Sequence, residues 1–304
     1  MRVTANMSSD NAIYNLQQGR AKLEKLQSQV SSGQNVNTPS DDPIASRLLL
    51  EIGDKLRSID QRSGNINKAT SWLKFTSTAL EGISNVVGLA KKVASTLNTG
   101  SDDPSIRQSA HDQLVDLKKQ LVDMANSQFG DQYIFAGANN TNPPFSNANN
   151  NYGGDDTQLS IEVAQNSVQA LNVTGDRILK GTGANPSYGT TDILKTFDDL
   201  IAAVGDSATP SNVPAITQGA VDLQAGFRQL NIATSDILSR MSRLDNMSKL
   251  NDNNKNTLLS ISTSVQEVDY AKLGVELSNQ KLAFEASLST TAKLSQLSLL
   301  DYLR

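Results

Sequence analysis

His111 is the only histidine of the chain, and there is no cysteine. Metal sites built on paired histidines or on thiolates are therefore closed to it. A Ser-His-Asp relay would have to run through His111, which stands beside Asp112 within a helical pattern; a solvent-facing helical histidine is the simpler reading. Asp252-Asn253-Asn254-Lys255-Asn256 faintly follows a calcium loop, but the glycine at the sixth position and the glutamate at the twelfth are missing, so we read a polar gap in a helix. Gly181-Thr182-Gly183 lacks the Gly-Lys-Ser/Thr continuation of a phosphate loop and reads as a turn. The paired aspartates, Asp155-Asp156 among them, sit at loops or helix starts, where a carboxylate serves the helix dipole. Asn139-Asn140-Thr141 and Asn172-Val173-Thr174 match glycosylation sequons, a pattern short enough to arise by chance. We expect no catalytic residue, no metal and no cofactor.

If the side chains carry no chemistry, the elements that hold them carry the function. The 304 residues are 38% hydrophobic and only 5% aromatic, which suits thin helical layers better than a thick core. A net charge of -4 argues against a nucleic-acid or anionic-membrane partner, which needs clustered cations. Lys91-Lys92 and Lys118-Lys119 read as solvated helix faces. No stretch approaches the roughly 18 consecutive apolar residues of a membrane span. Residues 1–10 are polar, without the apolar core of a cleavable signal.

Two helical arms surround a different middle. Ile13, Leu16, Leu23, Leu26 and Val30 share one face of a first amphipathic helix, stopped by Ser31-Ser32-Gly33. Ser40-Asp41-Asp42-Pro43 is a start signal, with Asp42 as cap and Pro43 in the first turn. From Ala45 to Leu97 a three–four spacing runs through Leu48, Ile52, Ile66, Leu73, Leu80 and Ile83; Lys55, Arg62 and Thr76 are its polar exceptions. One register held that long predicts a coiled-coil helix of about 80 Å. Ser101-Asp102-Asp103-Pro104 starts another helix, antiparallel to the first and ending near Gly130. Tyr133–Gly137 reads as a strand or extended turn, Leu159–Val163 and Val168–Val173 as strands, Asp192–Val204 as a short helix and Ser207–Pro214 as a linker. The long register then returns through Leu223, Phe227, Leu230 and Ile237 as far as Val265, loosening between Ser248 and Lys255. The expected fold is mainly α: an elongated antiparallel coiled-coil bundle from both chain ends, with a small β-containing insert in the middle.

The last helix carries two apolar stripes. On a wheel of 100° per residue, Val268, Ala271, Leu282 and Ala286 fall within about 40° of Val275, while Leu273, Leu277, Phe284 and Leu288 lie opposite. One partner cannot cover both. Leu16 and Leu23 of the first helix offer the one obvious mate within the chain, so these eight large side chains, Leu273, Val275, Leu277, Leu282, Phe284, Leu288, Leu16 and Leu23, form a candidate assembly surface.

Met1-Arg2-Val3-Thr4, Ser31-Ser32-Gly33, Ser40-Asp41-Asp42-Pro43, Tyr133–Gly137 with Pro144-Phe145, Asp269-Tyr270-Ala271 and Leu297–Leu300 together resemble the hook-associated protein 3 (FlgL) family of the flagellin superfamily. The resemblance covers about 1–145 and 213–304 and leaves 146–212 without a family motif. Filament flagellins share the Ser-Gly and Asp-Asp elements but usually carry Ala at the position of Pro43, and lack the Tyr133–Gly137 segment. The resemblance implies an inner tube domain from 1–40 with 268–304, ordered on assembly, a rod from 41–138 with 213–267, and an outward insert at 139–212. It implies a structural subunit at the hook–filament junction in the extracellular flagellum, exported by the type III pathway without a cleaved signal. Its partners would be hook-associated protein 1, flagellin, like subunits in a ring, and a cytosolic chaperone on the C-terminal helix. A filament flagellin is the alternative, and a secreted enzyme on a flagellin scaffold a more distant one.

Overall fold

The computed structural model describes residues 5–97, 103–146, 150–182, 187–205 and 212–302. The expected connection at 98–102, Gly183, most of the linker at 207–211 and the first four residues lie outside them, as do the side chains of Leu297–Leu300. In chain order come α1 (Ala5–Ser32), α2 (Pro43–Leu97), α3 (Pro104–Ala125), β1 (Gln128–Phe129), β2 (Gln132–Tyr133), β3 (Ser160–Ala164), β4 (Ser167–Ala170), a π-helical turn (Asp176–Lys180), α4 (Ile193–Gly205), α5 (Val213–Gln266) and α6 (Tyr270–Tyr302). The fold is mainly α, with two antiparallel strand pairs, β1–β2 and β3–β4.

Both start signals work as caps. Asp42 Oδ1 accepts from the N–H groups of Ile44 and Ala45 at 3.0 and 2.9 Å, and Asp103 Oδ1 from that of Ser105 at 2.9 Å. Each satisfies amides that a first helical turn leaves without partners. Asn212 does the same for α5, receiving Ala215 N–H at 3.3 Å, so Pro214 belongs to the helix and not to a linker. α3 stops at Ala125, short of Gly130, because Asn126 turns its side chain to the next segment: Oδ1 accepts from Phe145 N–H at 3.0 Å and Nδ2 donates to Phe145 carbonyl at 2.9 Å. Gly130, at φ +62°, then makes the β1–β2 turn.

The contacts divide the chain into two compact units, Asp60–Asp252 and Met1–Ile59 with Asn253–Arg304. In the first, the seam residues Ile66, Leu73, Leu80, Ile83, Leu223, Leu230 and Ile237 are buried and Phe227 is half-buried. Trp72 and Val86, outside the seam pattern, are buried too, because α2 has more than one neighbour here. Gly219 and Gly226 let α4 approach α5: a Cβ there would stand 2.9 Å from Leu200 Cδ1 and 2.8 Å from Ile193 Cγ1. In the second unit Ile52 is buried, but Leu48 is 39% exposed, contrary to its place in the seam. α5 ends at Gln266, and a seam position is covered only as far as an apolar partner extends.

The middle of the chain contributes side chains to the helical core. Phe135, Ile178, Leu179, Ile193 and Phe197 belong to the same apolar cluster as Leu73, Leu80 and Leu230. Only Tyr133 of the Tyr133–Gly137 segment is strand; Ile134, Phe135 and Ala136 plug the core, and Gly137 takes φ +76°, where a Cβ would lie 2.1 Å from Asp155 Oδ1. The second strand of the β3–β4 pair ends at Ala170, short of Val173. Gln229 of α5, 1% exposed, bolts this region down: Nε2 donates to the carbonyls of Ile178 (2.9 Å) and Thr191 (3.1 Å), and Oε1 accepts from Thr191 N–H (3.1 Å). Gln229→Leu strands three backbone groups inside the core, so we expect a loss of about 3 kcal/mol, read as a lower urea midpoint with an unchanged slope.

Candidate assembly surface

The polar candidates come out as structural parts. His111 is not simply solvent-facing: its ring covers Gly205 at the end of α4, where a Cβ would meet Cδ2 at 2.9 Å, and Nδ1 lies 3.1 Å from Asp112 Oδ1. Arg107, one turn earlier, donates to the Val204 carbonyl at 3.3 Å and closes the same helix end. Asp155 accepts from the amides of Ala138, Thr157 and Asn139, which hold its carboxyl below the ordinary range. Asp156 is held low by the Arg177 guanidinium at 2.5 Å. Gly181 is the left-handed end of the π-helical turn. Asn172 is fully buried, donating to Thr157 carbonyl and accepting from Leu159 N–H, so its sequon is closed in the folded chain, while Asn139 is exposed. Asn251, in the expected polar gap, is 5% exposed. Among the described residues no group of three acidic, histidine or cysteine side chains could hold a metal, and no helix is long and apolar enough to cross a membrane.

The terminal helices meet on one face. Gly33, at φ +69°, ends α1; the chain then makes a bridge from Gln34 to Glu267, with Asn35 N–H on the Gln266 carbonyl at 2.7 Å, and this sets α6 antiparallel beside α1. Further along, Gln280 Nε2 donates to the Gly19 carbonyl at 3.1 Å and Phe284 packs over Gly19. The core between the two helices is Leu26, Val268 and Leu273, with Leu277 against it. Asp41 locks the corner into α2. It pairs with Lys25 at 2.9 Å and accepts the amides of Thr38 and Asn37 at 2.9 and 3.2 Å. Lys25 first, then the Thr38 amide, lower its pKa to about 2.

The two expected stripes therefore meet different fates. Leu273 is buried and Leu277 and Phe284 are half-buried, as are Leu16 and Leu23 of α1. Val275 and Leu282 are each 62% exposed. Leu288 is 54% exposed although it shares the covered stripe by its angle. Val268 is the exception on the bare side, buried where the chain turns into α6.

A family model described as the bacterial flagellin N-terminal helical region matches residues 3–140. Flagellar hook-associated protein 3 of Salmonella typhimurium is 23% identical over 313 residues, which span 98% of this chain and 98% of that protein. The chain is thus similar to flagellar proteins both in its N-terminal arm and over its whole length. A flagellin of Listeria innocua is 21% identical over 97% of this chain and 96% of its own. The structure of a putative flagellar hook-associated protein from Vibrio parahaemolyticus shares the fold, with a TM-score of 0.66 at 20% identity, over 75% of this chain and all of that one. In this structure the motifs at Ser40–Pro43 and Tyr133–Gly137 mark a helix cap and a core plug.

Two outcomes follow from this geometry. Because the folded carboxyl of Asp41 titrates below its unfolded value, its contribution is complete above about pH 4 and disappears as pH falls through about 2. The Asn37 and Thr38 amide signals should titrate with a midpoint near 2 in NMR spectra, and Asp41→Asn should abolish that titration. Leu273→Asp should part α1 from α6 and lower the helical circular-dichroism signal. Leu282→Asp, on the bare stripe, should leave that signal unchanged.

Proposed function

We infer that this chain is a structural subunit of the bacterial flagellum, a hook–filament junction protein that adapts the hook to the flagellin filament. The observation that carries the reading is its end-to-end alignment with hook-associated protein 3, through the middle as well as both arms. The bare stripe of α6 supports an assembly role. Val275 and Leu282 stand in water on a helix whose opposite face is already paired, and burying each is worth about 1.5–3 kcal/mol when a neighbour covers it. The chain-end pair, 1–40 with 268–304, would build the inner tube, the long helices of 41–138 and 213–267 the rod, and 139–212 the outer part. The surface would comprise Val275, Leu282 and Leu288 toward neighbours, with Leu16, Leu23, Leu273, Leu277 and Phe284 holding the pair.

The partners we propose are hook-associated protein 1 below, flagellin above, like subunits alongside, and a cytosolic chaperone that covers α6 before type III export without a cleaved signal. The relatives are structural flagellar proteins, and we assign no catalytic activity. The full-length likeness to flagellin favours one second reading, a filament subunit.

Deleting the gene separates the two. A junction protein leaves hooks without filaments while intact flagellin accumulates in the medium; a filament subunit leaves the medium without that flagellin. In the deletion strain, the Leu282→Asp chain should fold normally yet fail to retain filaments. Retention at the wild-type level would remove the bare stripe from the assembly surface.

A further inference from the structure

A groove that the described residues do not fill runs along the α2–α3 side of the Asp60–Asp252 unit. Its middle, about 500 Å³, lies between Leu89, Val93 and Thr96 of α2 and Gln113, Asp116 and Leu117 of α3. It continues past Ile106. Leu89 and Ile106 are about half exposed, at 51% and 48%. α5 has a complementary feature. On the face turned away from its buried seam, Val221, Ala225, Arg228 and Ile232 follow a second three–four spacing, and Leu250 extends it. Val221 and Ile232 are each 53% exposed. Arg228 is exposed and makes no hydrogen bond or ion pair among the described residues, and the same holds for Asp116 and Asp123 on α3.

We propose that the groove receives the outer face of α5 from a second copy of this chain, side by side. The proposal rests on the assembly role inferred above and adds the surfaces to it. Register supplies the argument. α5 lies level with α2 where Lys91 Nζ donates to Gln224 Oε1 at 2.6 Å and Gly88 faces Phe227. α3 lies level with α2 where Gly82 faces Met124 and where Leu89 and Leu117 line the groove together. Both helices run antiparallel to α2, so Asp116 is level with Ala225 and Asp123 with Ile232. A copy moved sideways without axial shift brings Arg228 between the two aspartates, about one helical turn from each. Val221 then falls opposite Val93, and Ile232 level with Gly82, where Met124 of the same molecule already covers the glycine. Lys92 lines the groove too, more than a turn from that arginine, while Lys119 lies further round α3, outside the lining as Asp123 is. The two patches differ, so the contact is head-to-tail and continues from copy to copy, as a ring or helical tier requires.

The test uses the full chain in a strain that lacks its own copy. Arg228→Asp faces two carboxylates with a third, and filament retention should fall by roughly tenfold or more. Adding Asp116→Lys and Asp123→Lys should restore it. The native chain has no cysteine, so Leu89→Cys with Ala225→Cys, which are level but on opposite sides of one molecule, should give a ladder of oligomers when isolated hook–filament particles are oxidised. Wild-type retention by Arg228→Asp, failure of the triple variant to recover, or oxidation without a ladder would each overturn the contact. If deleting the gene leaves filaments attached, the junction reading itself fails, which is a separate result.

Discussion

A helix can bury only as many faces as it has neighbours, and this constraint orders the whole molecule. In the Asp60–Asp252 unit α2 runs among other helices, and side chains on several of its faces, Trp72, Leu73, Val86 and Val87, are all buried. Among the described residues of the other unit α6 packs on α1, and one stripe stays bare. The same apolar residue types are thus core in one place and surface in the other. Exposed apolar surface of that kind is retained where another chain covers it.

Polar groups do the work of placement. Gln229 and Asn126 bind backbone groups of the middle of the chain and so fix it against α5 and α3, while Asn172 ties Thr157 and Leu159 together within it. Arg240 adds the carbonyl of Asn172 at 3.0 Å and the carboxylate of Asp236 at 2.6 Å. Buried donors and acceptors are costly unless paired, so these residues set one arrangement where apolar packing alone would allow several. Asp41 and Lys25 serve the same purpose at the α1–α2 corner.

The sequence by itself determined the helices. Period and punctuation are local: the three–four spacing of α2 and α5, the Asp-Pro starts at Asp42-Pro43 and Asp103-Pro104, and the Gly33 stop each depend on neighbours a few residues away. The family resemblance was legible in part for the same reason, because a motif such as Ser40–Pro43 is a local cap. The two stripes of α6 were legible as a pattern too, from the angle between Val275 and Leu277. Only the tertiary structure decided which stripe is covered, since that depends on where Gln34 and Glu267 meet and so on which face α6 turns to Leu26. It also decided that Leu48 is exposed, that His111 lies over the end of α4, and that the Asn172 sequon is buried. Each of these is set by a partner far away in the chain, and a side chain's spacing along its own helix carries no information about what arrives from elsewhere.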